Sequence, residues 1–219
     1  DTDRSRGLGD VYKRQVWEFY SDTLHTLAGY GASIVRLDAF AYAHKAVGEH
    51  NFLNEPGTWD ILARLQMLAD ADGVTLLPEI HASYSEKVYE KLAAKGYAVY
   101  DFFLPGLLID ALERGNADTL AGWAQEILDK HILTVNMLGC HDGIPMLDLK
   151  GLLPEERIQS LIDLIVSRGG MVKNLHGQKN VYYQVNATYY SALGESDAKL
   201  LLALSLIHIS EPTRPISIS

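Results

Sequence analysis

The chain of 219 residues holds one cysteine, Cys140, which excludes a disulfide framework. A single thiol also argues against a thiolate metal site, so no metal is expected, and a reducing cytoplasm is the compartment that fits. Long apolar runs are missing as well. None approaches the roughly 20 residues that cross a bilayer, and no membrane partner is expected. Positive charge is in deficit, with 19 Lys and Arg against 28 Asp and Glu, which excludes nucleic acid, whose phosphates demand clustered cations. Residues 1–15 are polar and charged without a central apolar stretch, so no secretory leader is read there. What is present is 47% hydrophobic residues, enough for a real core and too many for disorder.

The two ends differ from the middle. A set of codons for residues 5–15, read on the opposite strand, spells Leu-Ser-Leu-Ile-His-Ile-Ser-Glu-Pro-Thr-Arg, the order of residues 204–214. Codons for Arg4, Asp3, Thr2 and Asp1 extend the match to Pro215, Ile216, Ser217 and Ile218. The termini therefore read as one inverted DNA repeat translated in both directions, similar to the transposon-end adaptors of sequencing libraries. Residues 1–15 and 204–219 are expected to be adaptor-derived. These segments hold five basic against four acidic residues, so residues 16–203 carry a net charge of −10, from 14 Lys and Arg against 24 Asp and Glu, and the acidity belongs to the middle.

Between the ends, helical and strand periods alternate. Residues 17–30 read as a helix stopped by Gly29 and Gly31, and residues 33–38 as a β-branched strand ending in a carboxylate. Residues 58–71 read as a helix with Thr58 as cap and Asp72-Gly73 as terminator, followed by an apolar strand at 74–78 ending in Glu79. A helix at 85–95, a strand at 97–103, helix over 107–130 broken at Gly115-Asn116 and a strand at 132–138 complete four βα units. Near-continuous apolar strands predict a parallel sheet covered on both faces. Polar chemistry at strand ends, with no Gly-rich phosphate turn, favours an α/β (TIM) barrel over a doubly wound sheet. After Gly143 the pattern changes: a helix from about 153 to 167, a basic Gly-bearing loop at 169–180, an aromatic strand-like stretch at 181–190, and a helix starting near Asp197.

Side chains two apart on a strand share a face, so Arg36 sits beside Asp38 and can orient that carboxylate as a nucleophile. Glu79 ends the next strand among apolar neighbours, which should raise its pKa and keep it protonated as an acid. His141-Asp142 offers a third carboxylate. Two carboxylates on adjacent strands can lie about 5 Å apart, the spacing of a retaining glycosidase.

Arg36-Leu37-Asp38-Ala39, Pro78-Glu79 and His141-Asp142-Gly143, each closing a strand in that order, resemble glycoside hydrolase family 13, the α-amylase superfamily. Residues 36–42, 77–81, 99–102, 141–144 and 183–190 narrow the resemblance to its sucrose phosphorylase branch. It implies a TIM-barrel fragment, roughly strands four to seven, with residues 16–142 as the central barrel, 143–196 as a rim excursion and 197–203 as the start of the next helix. It implies Asp38 as nucleophile, Glu79 as acid/base, Asp142 as transition-state carboxylate, and Arg36 and His141 around the glucosyl ring. Tyr42, His81 and Gln184 match positions shaping the glucose and acceptor sites. The implied reaction converts sucrose or sucrose 6-phosphate and inorganic phosphate to α-glucose 1-phosphate, with no cofactor and no partner beyond sugar and phosphate. Lys173, His176 and Lys179, with Arg168 beside them, are candidates to hold a phosphate on the leaving group. Phosphorylases of glucosylglycerate or glucosylglycerol, a family 13 α-glucosidase or transglucosidase, and an inactive carbohydrate-binding remnant are the alternatives. The oligomeric state is open. An incomplete barrel leaves strand edges bare, so the 219-residue chain is expected to be inactive and poorly soluble by itself.

Overall fold

The computed structural model describes residues 14–175 and 182–209. The chain divides into two compact units, residues 1–81 with 94–99, and residues 82–93 with 100–219.

The first unit is built on a strand–helix–strand element. Helix α1 (Arg14–Gly29) buries Trp17 and Leu24, and the Arg64 guanidinium of helix α2 lies 4.0 Å over the Trp17 ring. The expected stop holds, with Gly31 in the left-handed region at φ 90. Strand β1 (Ile34–Leu37) runs parallel to β2 (Thr75–Pro78), with Ile34 opposite Thr75 and Leu37 opposite Pro78. Two parallel strands need a crossover, supplied by α2 (Gly57–Ala71), whose Ile61, Leu62, Leu65 and Ala69 form one buried stripe. Strand β2 is buried as expected. Strand β1 is not, since Ile34 is 58% exposed and β2 is its one hydrogen-bonded neighbour among the described residues.

Thr58 does not cap α2. The helix starts a residue earlier at Gly57, and the Thr58 amide donates to the Asn54 carbonyl. The preceding turn already supplies acceptors, which frees the Thr58 side chain to turn inward, where it is fully buried.

In the second unit the helix expected at 85–95 is split. A 3-10 turn at Tyr84–Glu86 is closed by a Ser83/Glu86 capping box, and α3 (Val88–Ala94) follows Lys87 at φ 54. Strand β3 (Val99–Asp101) pairs with β4 (Thr134–Asn136). Between them lie α4 (Leu104–Arg114) and α5 (Asp118–Asp129), interrupted at Gly115 as predicted. The buried Asp101 carboxylate accepts from the Leu104 and Phe103 amides and from Trp123 Nε1, tying the start of α4 to α5. Burial pushes its pKa up to about 6 against these hydrogen bonds.

Beyond β4 come β5 (Ile144–Pro145), α6 (Glu155–Ser167), β6 (Met171–Asn174), β7 (Tyr182–Asn186), α7 (Tyr189–Ala192) and α8 (Asp197–Ile209). The order β5-β7-β6 makes a three-stranded antiparallel sheet. The segment read as a basic loop at 169–180 is thus in part a strand. Gly170 is the reason: a Cβ there would sit 2.8 Å from Ile165 and 2.9 Å from Val185, so only glycine lets the chain pass that close to α6 and reach β7. Helix α8 starts at Asp197 as expected and continues beyond Ala203. Among the described residues no helix is long and apolar enough to cross a membrane.

Candidate active site

In the first unit, Asp38 follows the last residue of β1 and Glu79 the last residue of β2. Because Leu37 stands opposite Pro78, the two carboxylates occupy equivalent places at one edge of the pair. Arg36 joins them. Its Nη1 donates to Asp38 Oδ1 at 2.5 Å and its Nη2 lies 2.8 Å from Glu79 Oε1. The predicted Arg36–Asp38 contact is present, while the cross-strand contact to Glu79 was not anticipated.

Glu79 is gripped from several sides. Its Oε2 accepts from the Ala39 amide at 2.8 Å, and His81 Nε2 lies 3.3 Å from its Oε1. Ala39 reaches this position by adopting φ 47, a left-handed conformation that costs an alanine about 1 kcal/mol or more. No sequence signal marks Ala39, since the residue type usual at such an angle is glycine. The expectation of a raised Glu79 pKa is overturned. Burial, the largest single influence, does push it up, but the His81 hydrogen bond, the Ala39 amide and the charges of His81 and Arg36 together outweigh burial and hold it at about 2. The apolar neighbours were legible in the sequence, and the contacts of Arg36 and His81 with Glu79 were not. Asp38 itself is open, its side chain 68% exposed.

Tyr42 lies in the 3-10 turn Phe40–Tyr42 after β1, with its ring edge against Phe52 at 5.4 Å. Half-burial raises its pKa.

Asp142, His141, Lys173 and Gln184 belong to the second unit. His141 Nε2 is 3.5 Å from Asp142 Oδ2, and Lys173 Nζ donates to Asp142 Oδ1 at 3.0 Å. Lys173, offered above as a phosphate ligand, is therefore engaged by a carboxylate. Arg168 is engaged too, by Glu113 and the Ala192 carbonyl. His176 and Lys179 lie outside the described residues. Gln184, in the centre strand of the antiparallel sheet, is fully buried, and neither its Nε2 nor its Oε1 has a hydrogen-bond partner among the described residues. Sequence reasoning did not foresee that the turn after β4 gathers Cys140, His141 and Asp142, with one ligand atom from each within 4.8 Å of the others.

Parallel strands whose C-terminal ends present an arginine-bridged pair of carboxylates are similar in arrangement to those of α/β enzymes that do their chemistry at strand ends. No family model matches the chain. It is 55% identical over 201 residues to the sucrose 6(F)-phosphate phosphorylase of Ilumatobacter coccineus, a match covering 88% of the chain and 38% of that protein. The sucrose phosphorylase of Streptococcus mutans is 36% identical over 89% of the chain and 40% of its own length. The solved structure of sucrose 6F-phosphate phosphorylase from Thermoanaerobacter thermosaccharolyticum superposes with a TM-score of 0.83 at 33% identity, covering 90% of the chain and 39% of that structure. The expected resemblance to sucrose phosphorylases is borne out, and the chain spans about two fifths of the length of these relatives.

Proposed function

We propose that residues 16–203 are the catalytic middle of a retaining glycoside phosphorylase, equivalent to about strands four to seven of a TIM barrel with its rim excursion. The observation that carries this reading is Arg36 holding Asp38 and Glu79 with its two terminal nitrogens. Two carboxylates on one guanidinium fit the roughly 5 Å separation of a retaining pair. Asp38, exposed and oriented, attacks the anomeric carbon of sucrose or sucrose 6-phosphate and forms a glucosyl ester while the fructosyl oxygen leaves. Glu79 protonates that oxygen. It is ionised in the resting chain, so it must take up a proton from solvent as the bound sugar loosens its contacts with His81, the Ala39 amide and Arg36; in the second step, ionised again, it serves as base for phosphate, which releases α-glucose 1-phosphate with retained configuration.

The resemblance assigns Asp142 and His141 to the glucosyl ring, and Arg36 orients Asp38. Tyr42 and His81 shape the sugar site. Gln184, whose two amide atoms have no hydrogen-bond partner among the described residues, is assigned to a substrate hydroxyl, since a buried amide without partners is otherwise costly. Phosphate is the co-substrate and no further cofactor takes part. The cytoplasm fits this chemistry. Sucrose 6-phosphate is favoured as donor by the names of two relatives, those from Ilumatobacter and Thermoanaerobacterium; Lys173 is paired with Asp142, so the phosphate falls to His176 and Lys179.

The chain alone is expected to be inactive, so the test grafts residues 16–203 in place of the matching segment of the Ilumatobacter relative. Phosphate-dependent release of glucose 1-phosphate from sucrose 6-phosphate supports the proposal. Glucose release without phosphate dependence makes the segment hydrolytic, and a folded chimera that does neither refutes the catalytic reading.

A further inference from the structure

We propose that the turn Cys140-His141-Asp142 is a binding site for one borderline-soft divalent cation of the zinc class. The donor set is thiol sulfur, imidazole nitrogen and a single carboxylate. Calcium and magnesium take oxygen almost exclusively, whereas zinc accepts this mixture and often keeps a fourth position for water.

Three consecutive ligands require a rigid turn, and the backbone supplies one. The Cys140 amide donates to the Gly143 carbonyl at 3.2 Å and the Gly143 amide donates back to the Cys140 carbonyl at 3.0 Å. Gly143, at φ 120, packs so close to β7 that a Cβ would sit 2.6 Å from the Val185 carbonyl oxygen. The turn is therefore pinned to the sheet, and the donors stand within 4.8 Å of one another before any cation arrives. His141 is largely exposed, which leaves an entry path and room for water.

Asp142 divides its oxygens suitably. Lys173 takes Oδ1, while Oδ2 faces His141 and is the oxygen on the side of the donor cluster. Binding displaces the thiol proton, now directed at the Gly143 carbonyl 3.8 Å away, to solvent. The Lys173 ammonium repels the incoming cation and sets the affinity below that of an isolated triad. If Asp142 serves the sugar as proposed above, cation occupancy withdraws it from catalysis; that consequence rests on the functional reading, and binding does not.

Cobalt(II) titration of the grafted enzyme described above, which supplies the rest of the barrel, tests the proposal without an activity assay. Because Cys140 is the sole thiol in the grafted residues, the part of a thiolate-to-cobalt charge-transfer band that C140S removes reports on this site. The expected result is a component that saturates at one equivalent, is bleached by zinc and is missing in C140S. A grafted enzyme without the band, or C140S that keeps it in full, overturns the proposal. K173Q provides a test that leaves all three ligands in place. Zinc affinity, measured by competition with a chromophoric chelator, should rise about 10-fold, and an unchanged or weaker affinity refutes the arrangement.

Discussion

Arg36 and Glu79 stand on adjacent parallel strands, and the 2.8 Å contact between them binds the carboxylate expected to act as an acid to the arginine expected to serve its neighbour. One guanidinium thus contacts both carboxylates. An Arg36→Met substitution should lower phosphorolysis by the grafted enzyme by about 10²-fold or more, the scale of losing a preorganised charge contact. It should also raise the Glu79 pKa, read by carboxyl-carbon NMR. A Glu79 signal titrating unchanged near 2 would show that His81 and the Ala39 amide suffice without Arg36.

The same contacts make stability depend on pH. The folded Glu79 titrates at about 2, below its ordinary 4.5, so the ionised form is favoured by folding. Its contribution is complete above pH 4.5 and is lost as pH falls through about 2. Denaturation midpoints measured between those pH values should fall less steeply in Glu79→Gln than in the parent chain.

Much of this site was legible in the sequence, for a physical reason. Strand period places Arg36 beside Asp38, and apolar runs ending in carboxylates mark where two parallel strands present their ends. The remainder depended on contacts between distant segments. Glu79 is held ionised by the His81 hydrogen bond, the Ala39 amide and the charges of His81 and Arg36, and that amide comes from a left-handed alanine that no residue pattern announces. The strand at Met171–Asn174 exists because Gly170 permits close passage, while its basic composition reads as loop. Thr58 looks like a cap because the carbonyls that replace it come from the chain before it.

Gln184 joins stability to function. Replacing its amide, which has no hydrogen-bond partner among the described residues, through the similarly sized Gln184→Met should stabilise the chain by about 1 kcal/mol while abolishing productive sugar binding in the grafted enzyme. Chemical denaturation and KM for the sugar check the two halves. A destabilised variant would mean that the amide has a partner in the folded chain.

Trp123 is expected to matter for stability and not for chemistry. Its indole nitrogen donates to the buried Asp101 at 3.0 Å, so Trp123→Phe should cost about 1–3 kcal/mol and raise the Asp101 pKa above about 6. Urea denaturation at several pH values would reveal both effects, with kcat in the grafted enzyme unaffected.

The most direct test of the double-displacement reading is to trap the glucosyl ester. In the grafted enzyme carrying Glu79→Gln, α-glucosyl fluoride supplies a leaving group that needs no acid, and the missing base slows release of the ester. Peptide mass spectrometry after quenching should find one glucosyl unit on Asp38. A glucosyl unit on another side chain, or no adduct from a variant that consumes the fluoride, would contradict the assignment of Asp38 as the nucleophile.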